Sequence, residues 1–548
     1  MVSEQKTADV SFESLLRIFT VPEGPDSTLT QIEQKLSQNL NEFLREHIVA
    51  EEKPLKEIEK NFSDPAIPEQ PEFVSQHTEY LLDSLVAHSV HTSSPSFIGH
   101  MTSALPYFLM PLSKIMIALN QNLVKVETSK AFTPLERQVL GMLHRLIYDQ
   151  KDDFYQSWMH SANHSLGAFC SGGTIANITA LWVARNNVLK ANDDFKGVER
   201  EGLFKAMKHY GYNGLAIVVS ERGHYSLKKA ADILGIGQEG LVSVKTDNNN
   251  RLCPADLQNK LTELKAQNIK PIAVIGVAGT TETGNIDPLQ EIAEICHREQ
   301  CHFHVDAAWG GATLMSNQYR ELLQGIELAD SVTIDAHKQL YIPMGAGMVL
   351  FKDPCAMDAI EHHAQYILRQ GSKDLGSRTL EGSRSGMAML VYAAMNIISR
   401  PGYELLINQG IEKAQYFAEL IEKQDDFELV SEPELCLLTY RYVPKKVARA
   451  LSLATNEQKK ELNELLNELT KFIQKRQRET GKSFVSRTKL TPQRWQHIDV
   501  IVFRVVLANP LTTLDILQSV LDEQREIAVQ APNLMARISA LTEQIIVG

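Results

Sequence analysis

Two reactive side chains, Lys338 and Asp306, each follow a short apolar run in the middle of the chain. The lysine ends the sequence Asp-Ala-His-Lys after the run 331–334, and the aspartate follows the run 301–305. A lysine amine can form an imine with an aldehyde, and a buried carboxylate can keep an aromatic ring nitrogen protonated. Since open α/β sheets bind ligands where their strands end, the pair predicts a pyridoxal 5'-phosphate (PLP) site.

A glycine pair, Gly172 and Gly173, stands before a helical pattern over 178–188 and is followed by Thr174. Glycines let the backbone approach an anion, and a helix N-terminus contributes free N–H groups. The turn therefore predicts phosphate binding, although glycine pairs also begin helices that bind no ligand. It matches neither the Walker motif nor the dinucleotide fingerprint, which argues against ATP and NAD.

Two more candidate positions follow strand-like runs. His224 comes after the run 215–219 and is placed to lie flat on an aromatic cofactor, or else to bond the loop backbone. Thr281 comes after the run 272–277 and adds a hydroxyl at another strand end. Each signal is weak alone, but several such strand ends around one lysine and one aspartate favour a common site.

The elements that must position these residues alternate between helical patterns and short β-branched runs from about residue 96 to 395. This rhythm is typical of a mostly parallel sheet covered by helices. The predicted strands are Leu215–Ser220, Ile272–Val277, His302–Val305, Ser331–Ile334 and Gly347–Phe351.

The ends of the chain have a different pattern. A helical pattern over 28–60 precedes a Pro-rich connector at 65–71, and strand-like runs at 435–442 and 500–507 flank an amphipathic helix that starts with a capping box at Thr455. We therefore predict three parts, an N-terminal helical segment (1–92), a large α/β domain (93–398) and a small C-terminal α+β domain (399–548).

The composition, 43% hydrophobic and 22% charged over 548 residues, is ordinary for a globular protein. The net charge is −12 and the basic residues are scattered, which argues against nucleic acid as a partner. The polar N-terminus lacks a signal-peptide pattern, and no apolar run approaches a membrane span. We expect a cytoplasmic protein with no membrane partner.

Six cysteines form no CxxC pair, so we expect reduced thiols. Cys296 and Cys301 stand near His297, His302 and His304, which raises a metal site as an alternative. Their spacing matches no zinc pattern, and we predict no metal.

Five segments, taken in this order, resemble the group II PLP-dependent amino-acid decarboxylases. They are SGGTIAN (171–177), SERGHYSLKKA (220–230), AGTTETGNIDPL (278–289), HVDAAWGG (304–311) and DSVTIDAHK (330–338). The chain is most similar to the glutamate decarboxylases and the bacterial pyridoxal-dependent aspartate 1-decarboxylases, over about residues 90 to 530. The resemblance implies an α/β fold of PLP-dependent transferase type I (aspartate aminotransferase-like) and a homodimer with the active site at the subunit interface.

The resemblance also implies roles around the cofactor ring. Lys338 would form the Schiff base, and Asp306 would pair with the pyridinium nitrogen. Ala308 would lie against one face of the ring, and His224, a catalytic residue, against the other. Thr281 would lie near the ring hydroxyl.

The phosphate would be held by Gly173, Thr174 and His337. One departure stands beside them, because this chain has Asp335-Ala336 where glutamate decarboxylases usually have Asn-Pro. A carboxylate near a phosphate is repulsive unless a cation or proton intervenes, so Asp335 is assigned no phosphate role.

On the substrate side, the segment 362–374 is similar to the family's mobile catalytic loop, with Tyr366 as the proton donor or, alternatively, as a packed loop tyrosine. Arg504 stands in an apolar strand and needs a partner, either the substrate carboxylate or an internal acid. His100 falls where glutamate decarboxylases place a substrate-contacting glutamine, with a structural histidine as the alternative. Ser96 replaces an arginine usual in the family.

The resulting hypothesis is a carboxy-lyase that removes the α-carboxylate of an acidic L-amino acid. We favour L-aspartate, giving β-alanine, over L-glutamate, giving GABA, or another group II substrate. A PLP lyase for a phosphorylated long-chain base is less favoured, since its apolar substrate suits a membrane anchor. A PLP-fold binding or regulatory module is disfavoured by the intact Lys338, Asp306 and His224.

Overall fold

The computed structural model describes residues 28–45, 48–363, 373–492, 495 and 498–547. Its α-helices are α1 (Thr28–Arg45), α2 (Leu55–Ile58), α3 (Val74–Leu81), α4 (Leu109–Leu119), α5 (Phe132–Tyr148), α6 (Asp152–Trp158), α7 (Gly173–Val188), α8 (Val198–Tyr210), α9 (Ser226–Ile233), α10 (Pro254–Ala266), α11 (Leu289–Glu299), α12 (Ala388–Glu422), α13 (Lys445–Leu453), α14 (Asn456–Thr480), α15 (Leu514–Ala528) and α16 (Pro532–Val547). Its strands are β1 (Gly167–Cys170), β2 (Gly214–Ser220), β3 (Leu241–Val244), β4 (Ile269–Val277), β5 (His302–Asp306), β6 (Ser331–Asp335), β7 (Gly347–Phe351), β8 (Phe427–Ser431), β9 (Leu437–Tyr442), β10 (Ser486–Leu490) and β11 (Val500–Val506).

Seven strands form the large sheet, in the order β1-β7-β6-β5-β4-β2-β3. Strands β3, β2, β4, β5 and β6 run parallel to one another, while β7 is antiparallel to both β6 and β1. Because β1 and β6 both oppose β7, β1 runs in the direction of the parallel set. Six strands therefore end at the same edge, and the prediction of a mostly parallel α/β sheet is confirmed.

Both faces of this sheet are covered, as expected for strands that are apolar throughout. Along β2, Ala216 and Val218 pack into a core with α5, α10 and α11, while Ile217 and Val219 pack into a second core with α7 and α9. Successive side chains of a strand point to opposite faces, so a continuous apolar run is buried on both sides.

A smaller antiparallel sheet, in the order β10-β11-β9-β8, packs against α14 and the C-terminal helices through a separate core. The predicted capping box is present at the start of α14, where Thr455 accepts a hydrogen bond from Gln458 N, and Gln458 Oε1 accepts one from Thr455 N. This confirms a small α+β C-terminal unit.

One predicted element differs. The helical pattern over 28–60 yields two described helices, α1 and α2, instead of one. Pro54 precedes α2 with extended backbone angles, φ −62° and ψ 136°. Proline cannot donate the backbone hydrogen bond that a continuous helix needs at this point, so the helical pattern is broken.

Candidate active site

A cavity of about 370 Å³ opens at the carboxyl edge of the large sheet. It brings together nine of the predicted site residues, which lie as much as 238 positions apart in the chain. They are His100, Gly173, Thr174, His224, Thr281, Asp306, Ala308, His337 and Lys338. The strand ends predicted from sequence therefore converge on one cavity.

Asp306, the last residue of β5, is buried with both carboxylate oxygens hydrogen-bonded. Asn177 Nδ2 donates to its Oδ2 at 2.9 Å, and the backbone N–H of Ala308 donates to its Oδ1 at 3.2 Å. Hydrogen bonds to the ionised form favour the carboxylate over the neutral acid. Asp306 is thus a buried carboxyl group whose two oxygens are each held by a donor of the fold.

Behind Asp306 the network continues through residues for which the sequence predicts no part in cofactor binding. His304 Nε2 lies 3.1 Å from Asn177 Oδ1, and His304 Nδ1 lies 2.8 Å from Ser331 Oγ. Burial lowers the pKa of His304 to about 4, so the ring is neutral at neutral pH. A neutral ring that accepts at one nitrogen and donates at the other fixes the orientation of Asn177, and hence of its bond to Asp306.

The sequence raises His304 as a metal ligand together with His302, as an alternative. Ser331 Oγ, on β6, lies 2.8 Å from a ring nitrogen of each histidine. Both side chains therefore have an assigned partner inside the protein. The clue missed in the sequence was spacing, because His304 and Asp306 are two apart on one strand and share a face.

Lys338 follows β6 by three residues and is 18% exposed. Its Nζ lies 3.3 Å from Asp335 Oδ2, and His337 Nε2 lies 3.6 Å from the same oxygen. His337 Nδ1 donates to the carbonyl of Ala346 at 2.9 Å, which leaves Nε2 facing the cavity side. Burial raises the pKa of Asp335, while the charges of Lys338 and His337 oppose that shift.

The glycine turn lies directly beside this pair. Helix α7 begins at Gly173, five residues before the predicted start, so its first turn lines the cavity. A Cβ built on Gly173 would lie 2.8 Å from Asp335 Oδ2, closer than side chains tolerate. The bare backbone and free N–H groups of this helix start form an anion cradle, with Thr174 in its wall.

His224 and Thr281 lie after β2 and β4, as predicted. His224 Nδ1 lies 2.8 Å from Ser226 Oγ, which holds the ring at the start of α9. Burial lowers the pKa of His224, and the negative charge of Asp306 opposes the shift. A half-buried, largely neutral imidazole at the cavity wall is suited to stacking on an aromatic ring.

Arg504, on β11, is buried but pairs with neutral oxygens. Its Nε donates to the carbonyl of Thr281 at 2.6 Å, and an Nη donates to the carbonyl of Gly99 and to Ser486 Oγ, each at 3.3 Å. Burial lowers the pKa of Arg504 to about 10. No carboxylate of the described residues lies within ion-pairing distance, so the internal acid considered as its partner is not found in that part of the chain.

His100 is exposed at the cavity mouth, with Nδ1 3.0 Å from Thr102 Oγ1. Desolvation lowers the pKa of His100, and the positive charges of Arg504 and Lys338 lower it further. Tyr366, predicted on the catalytic loop, lies outside the described residues.

The sequence reasoning missed Arg222, which lines the same cavity two residues before His224. Its guanidinium pairs with Glu282 Oε2 at 2.9 Å and donates to Asn250 Oδ1 at 3.3 Å. The signal was available, since Arg222 stands inside the SERGHYS segment at a strand end.

Comparisons with known proteins agree with this geometry. Residues 54–443 match the family model described as "Pyridoxal-dependent decarboxylase conserved domain". An aspartate 1-decarboxylase of Aliivibrio fischeri is 76% identical over 528 residues, 96% of either chain. The acidic amino acid decarboxylase GADL1 of Xenopus tropicalis is 30% identical over 450 residues, 81% of either chain. The crystal structure of mouse CSAD superposes with a TM-score of 0.79 and 26% identity, covering 92% of this chain and 99% of that one.

The fold and the family match define a PLP-dependent enzyme of fold type I. Within that class, the chain belongs to the pyridoxal-dependent decarboxylase family, and its cofactor is PLP. The residues present fit the cofactor. The cradle at Gly173 suits a phosphate, Lys338 offers an amine, and Asp306 offers a hydrogen-bonded carboxylate in the cavity wall.

Proposed function

We propose that this enzyme converts L-aspartate into β-alanine and CO₂. The observation that carries the proposal is the 76% identity, over 96% of either chain, to a protein named aspartate 1-decarboxylase. The more distant relative named acidic amino acid decarboxylase, at 30% identity, supports the same substrate class. A buried arginine next to the cavity, Arg504, supplies a positive charge for a substrate carboxylate.

PLP supplies an electron sink for the bond that breaks, and the side chains around it supply position and protons. Lys338 would bind the cofactor covalently and exchange with the substrate amine. Asp306, fixed by Asn177, would keep the ring nitrogen protonated. His224 and Ala308 would hold the ring between them. Gly173, Thr174 and His337 would hold the phosphate, and Thr281 would lie at the ring hydroxyl.

Arg504 would bind the α-carboxylate of the substrate and orient the bond that is to break. Its neutral partners support this role, because a guanidinium held by carbonyl oxygens keeps its full charge for an incoming anion. His100, which senses the charges of Arg504 and Lys338, would contact the substrate at the cavity mouth. Tyr366 would protonate the substrate carbon after CO₂ has left.

We further propose a cytoplasmic homodimer with its active site at the subunit interface, in the three-part organisation 1–92, 93–398 and 399–548. Six large apolar side chains exposed on α4 and the residues before it support a partner surface. They are Leu105, Tyr107, Met110, Ile115, Ile117 and Leu119. All six cysteines are free thiols, which fits a reducing compartment. Among the described helices, none has the length and apolar character to cross a bilayer.

The experiment is CO₂ release from a panel of aspartate, glutamate, cysteine sulfinate, diaminobutyrate and aromatic amino acids. We expect the highest kcat/KM for aspartate. A higher kcat/KM for glutamate would make glutamate, the precursor of GABA, the substrate instead of aspartate. Release from aromatic substrates alone would reject the acidic class of substrates. Lys338→Ala is the blank, and loss of all release in this variant ties the activity to the described cavity.

The same preparations test the cofactor lysine. Borohydride reduction followed by peptide mapping should place the cofactor on Lys338 in the wild type. Protein that binds no PLP and releases no CO₂ from any substrate would support the binding-module alternative instead.

A further inference from the structure

Asp335 is a buried carboxyl group in the cavity wall that is only partly hydrogen-bonded. The residue is 4% exposed and ends β6. Its Oδ2 lies 3.3 Å from Lys338 Nζ, whereas its Oδ1 has no hydrogen-bond partner among the described residues. A buried carboxylate oxygen without a donor is costly in a folded protein. The surroundings of Asp335 therefore favour neither the ionised carboxylate nor the neutral carboxylic acid completely.

The carboxylate is enclosed by the anion cradle. A Cβ on Gly173 would lie 2.8 Å from Oδ2, and a Cβ on Gly347 would lie 2.6 Å from Oδ1. Glycines at both positions let the carboxyl group sit directly against the start of α7. A phosphate bound at this helix start would be a near neighbour of Asp335.

The two neighbours of Asp335 make opposite demands on its charge. The Lys338 ammonium favours the carboxylate, since an opposite charge at this distance stabilises the ionised form. A phosphate dianion disfavours the carboxylate through like-charge repulsion, which is strong in a site shielded from water. Lys338 must also lose its ammonium proton before its nitrogen can act as a nucleophile.

We propose that Asp335 is a proton-carrying positioning residue, a carboxylate that holds Lys338 in the free site and a neutral carboxylic acid once the cofactor phosphate is bound. In this step one Nζ–H bond of Lys338 breaks, its electron pair stays on nitrogen, and the proton passes to Asp335. The neutral acid then has a donor to offer the phosphate. This inference rests on the proposed role of Lys338.

The charged groups that face Asp335 come from its own segment, from β5 and from the loop after β2. We expect the proton transfer from Lys338 to be the main response of Asp335 to a bound phosphate. From its own segment, Lys338 and His337 favour the carboxylate. From β5, Asp306 disfavours it, and His224 responds to the charge of Asp335 from the loop after β2. The cradle residues of α7 and β7 that touch it are glycines, which add no titrating group.

The test counts protons during cofactor binding. The full-length chain, freed of cofactor, is titrated with PLP at pH 8 in two buffers of different ionisation enthalpy and without primary amines. At this pH the phosphate is already a dianion, since its second pKa is about 6. We expect the wild type to take up about one proton more per PLP than Asp335→Asn, because only the wild type has this carboxylate to protonate.

Cofactor affinity gives an independent readout. If Asp335 takes up a proton, the ratio of the wild-type Kd to the Asp335→Asn Kd should rise with pH, by up to about tenfold per pH unit. Glu282→Gln is the matched control. It removes one carboxylate close to the cavity that does not touch Lys338, and it should keep the wild-type proton count. Equal proton counts for wild type and Asp335→Asn would overturn the inference.

A comparison within the wild type covers the case in which Asp335→Asn does not fold. PLP should take up about one proton more than pyridoxal, which has the aldehyde without the phosphate. Equal counts for the two aldehydes would also overturn the inference. Borohydride mapping separates the two levels of failure. Label on Lys338 with equal counts rejects the role of Asp335 alone, whereas label on another lysine rejects the proposed site as well.

Discussion

Two buried aspartates, Asp306 and Asp335, end the adjacent strands β5 and β6 and meet in one cavity. Asp306 has a donor for each carboxylate oxygen, and a second layer of side chains holds one of these donors. The Oδ2 of Asp335 lies 3.3 Å from Lys338 Nζ and 3.6 Å from His337 Nε2, while its Oδ1 has no hydrogen-bond partner among the described residues.

One sheet edge therefore supplies two kinds of carboxylate. Donors that the fold holds in place favour the ionised form of a carboxylate, because protonation would give up hydrogen bonds. A carboxylate whose partner is itself reactive can gain or lose a proton when the partner changes. We infer that the surroundings, more than the residue type, assign these two aspartates their roles.

Asp306→Asn should have the largest effect, because it removes the carboxylate that is held by two donors. The amide keeps the shape but loses the charge, so we expect kcat to fall about 100- to 1000-fold, as when other preorganised electrostatic groups are removed. Steady-state CO₂ release with saturating PLP measures the effect. Asp232→Asn, an exposed carboxylate on α9, is the control. A kcat close to that of this control would show that Asp306 does not pair with the ring nitrogen of the cofactor.

His304, which lies behind Asp306, should make the free energy of unfolding depend on pH. Burial lowers the pKa of His304 to about 4, against about 6.5 for the unfolded chain. Below pH 6.5 the unfolded state therefore binds a proton that the folded state refuses, and stability falls as the pH drops from 6.5 to 4. His304 would account for up to about 3 kcal/mol of this loss, at about 1.4 kcal/mol per pKa unit.

Urea unfolding at several pH values, for wild type and His304→Gln, measures this contribution. The variant should lose less stability than the wild type on acidification. His297→Gln, at the exposed end of α11, is the matched control and should follow the wild type. Parallel curves for wild type and His304→Gln would contradict a buried neutral ring.

The sequence was sufficient for five of the seven strands of the large sheet and for the residues at their ends, whereas β1 and β3 were not predicted. Apolar runs bounded by small residues predict β5 and β6 to within one residue, and Lys338 and Asp306 follow from their chemistry at those ends. Parallel strands meet at one edge, so their end residues need no three-dimensional information to be grouped.

The hydrogen bonds that hold Asp306 could not be predicted from the sequence, for a geometric reason. Asn177 stands 129 positions from Asp306, and its contact depends on how α7 is rotated over the sheet. Helix rotation is set by packing of the whole apolar face, which a local pattern does not specify. Asp335 shows a related limit. The sequence predicts that its carboxylate would repel a phosphate, but it does not predict how far the carboxylate lies from Lys338.

Asn177→Ala would make Asp306 resemble Asp335, with one carboxylate oxygen deprived of its donor. A hydrogen bond to a charged group contributes about 1.5–3 kcal/mol, so kcat should fall about 10- to 100-fold while the cofactor stays bound. Asn187→Ala is the control on the same helix, because its amide bonds the carbonyls of Val183 and Ala356 instead. Equal kcat values for the two variants would remove Asn177 from the support.

Ser331→Ala tests the outermost member of this support and should have the smallest effect. Its hydroxyl bridges His302 and His304, so the variant leaves a nitrogen of each without this partner. An ordinary hydrogen bond contributes about 0.5–1.5 kcal/mol, which corresponds to a fall in kcat of about 2- to 10-fold. Ser243→Ala, exposed on β3, is the control.

In a double-mutant cycle with Asn177→Ala, the two losses in kcat should be less than additive. Once Asn177 is gone, the orientation of His304 no longer affects Asp306. Additive losses would mean that Ser331 acts on the fold alone and that the fixed charge of Asp306 depends on Asn177 without the histidine behind it.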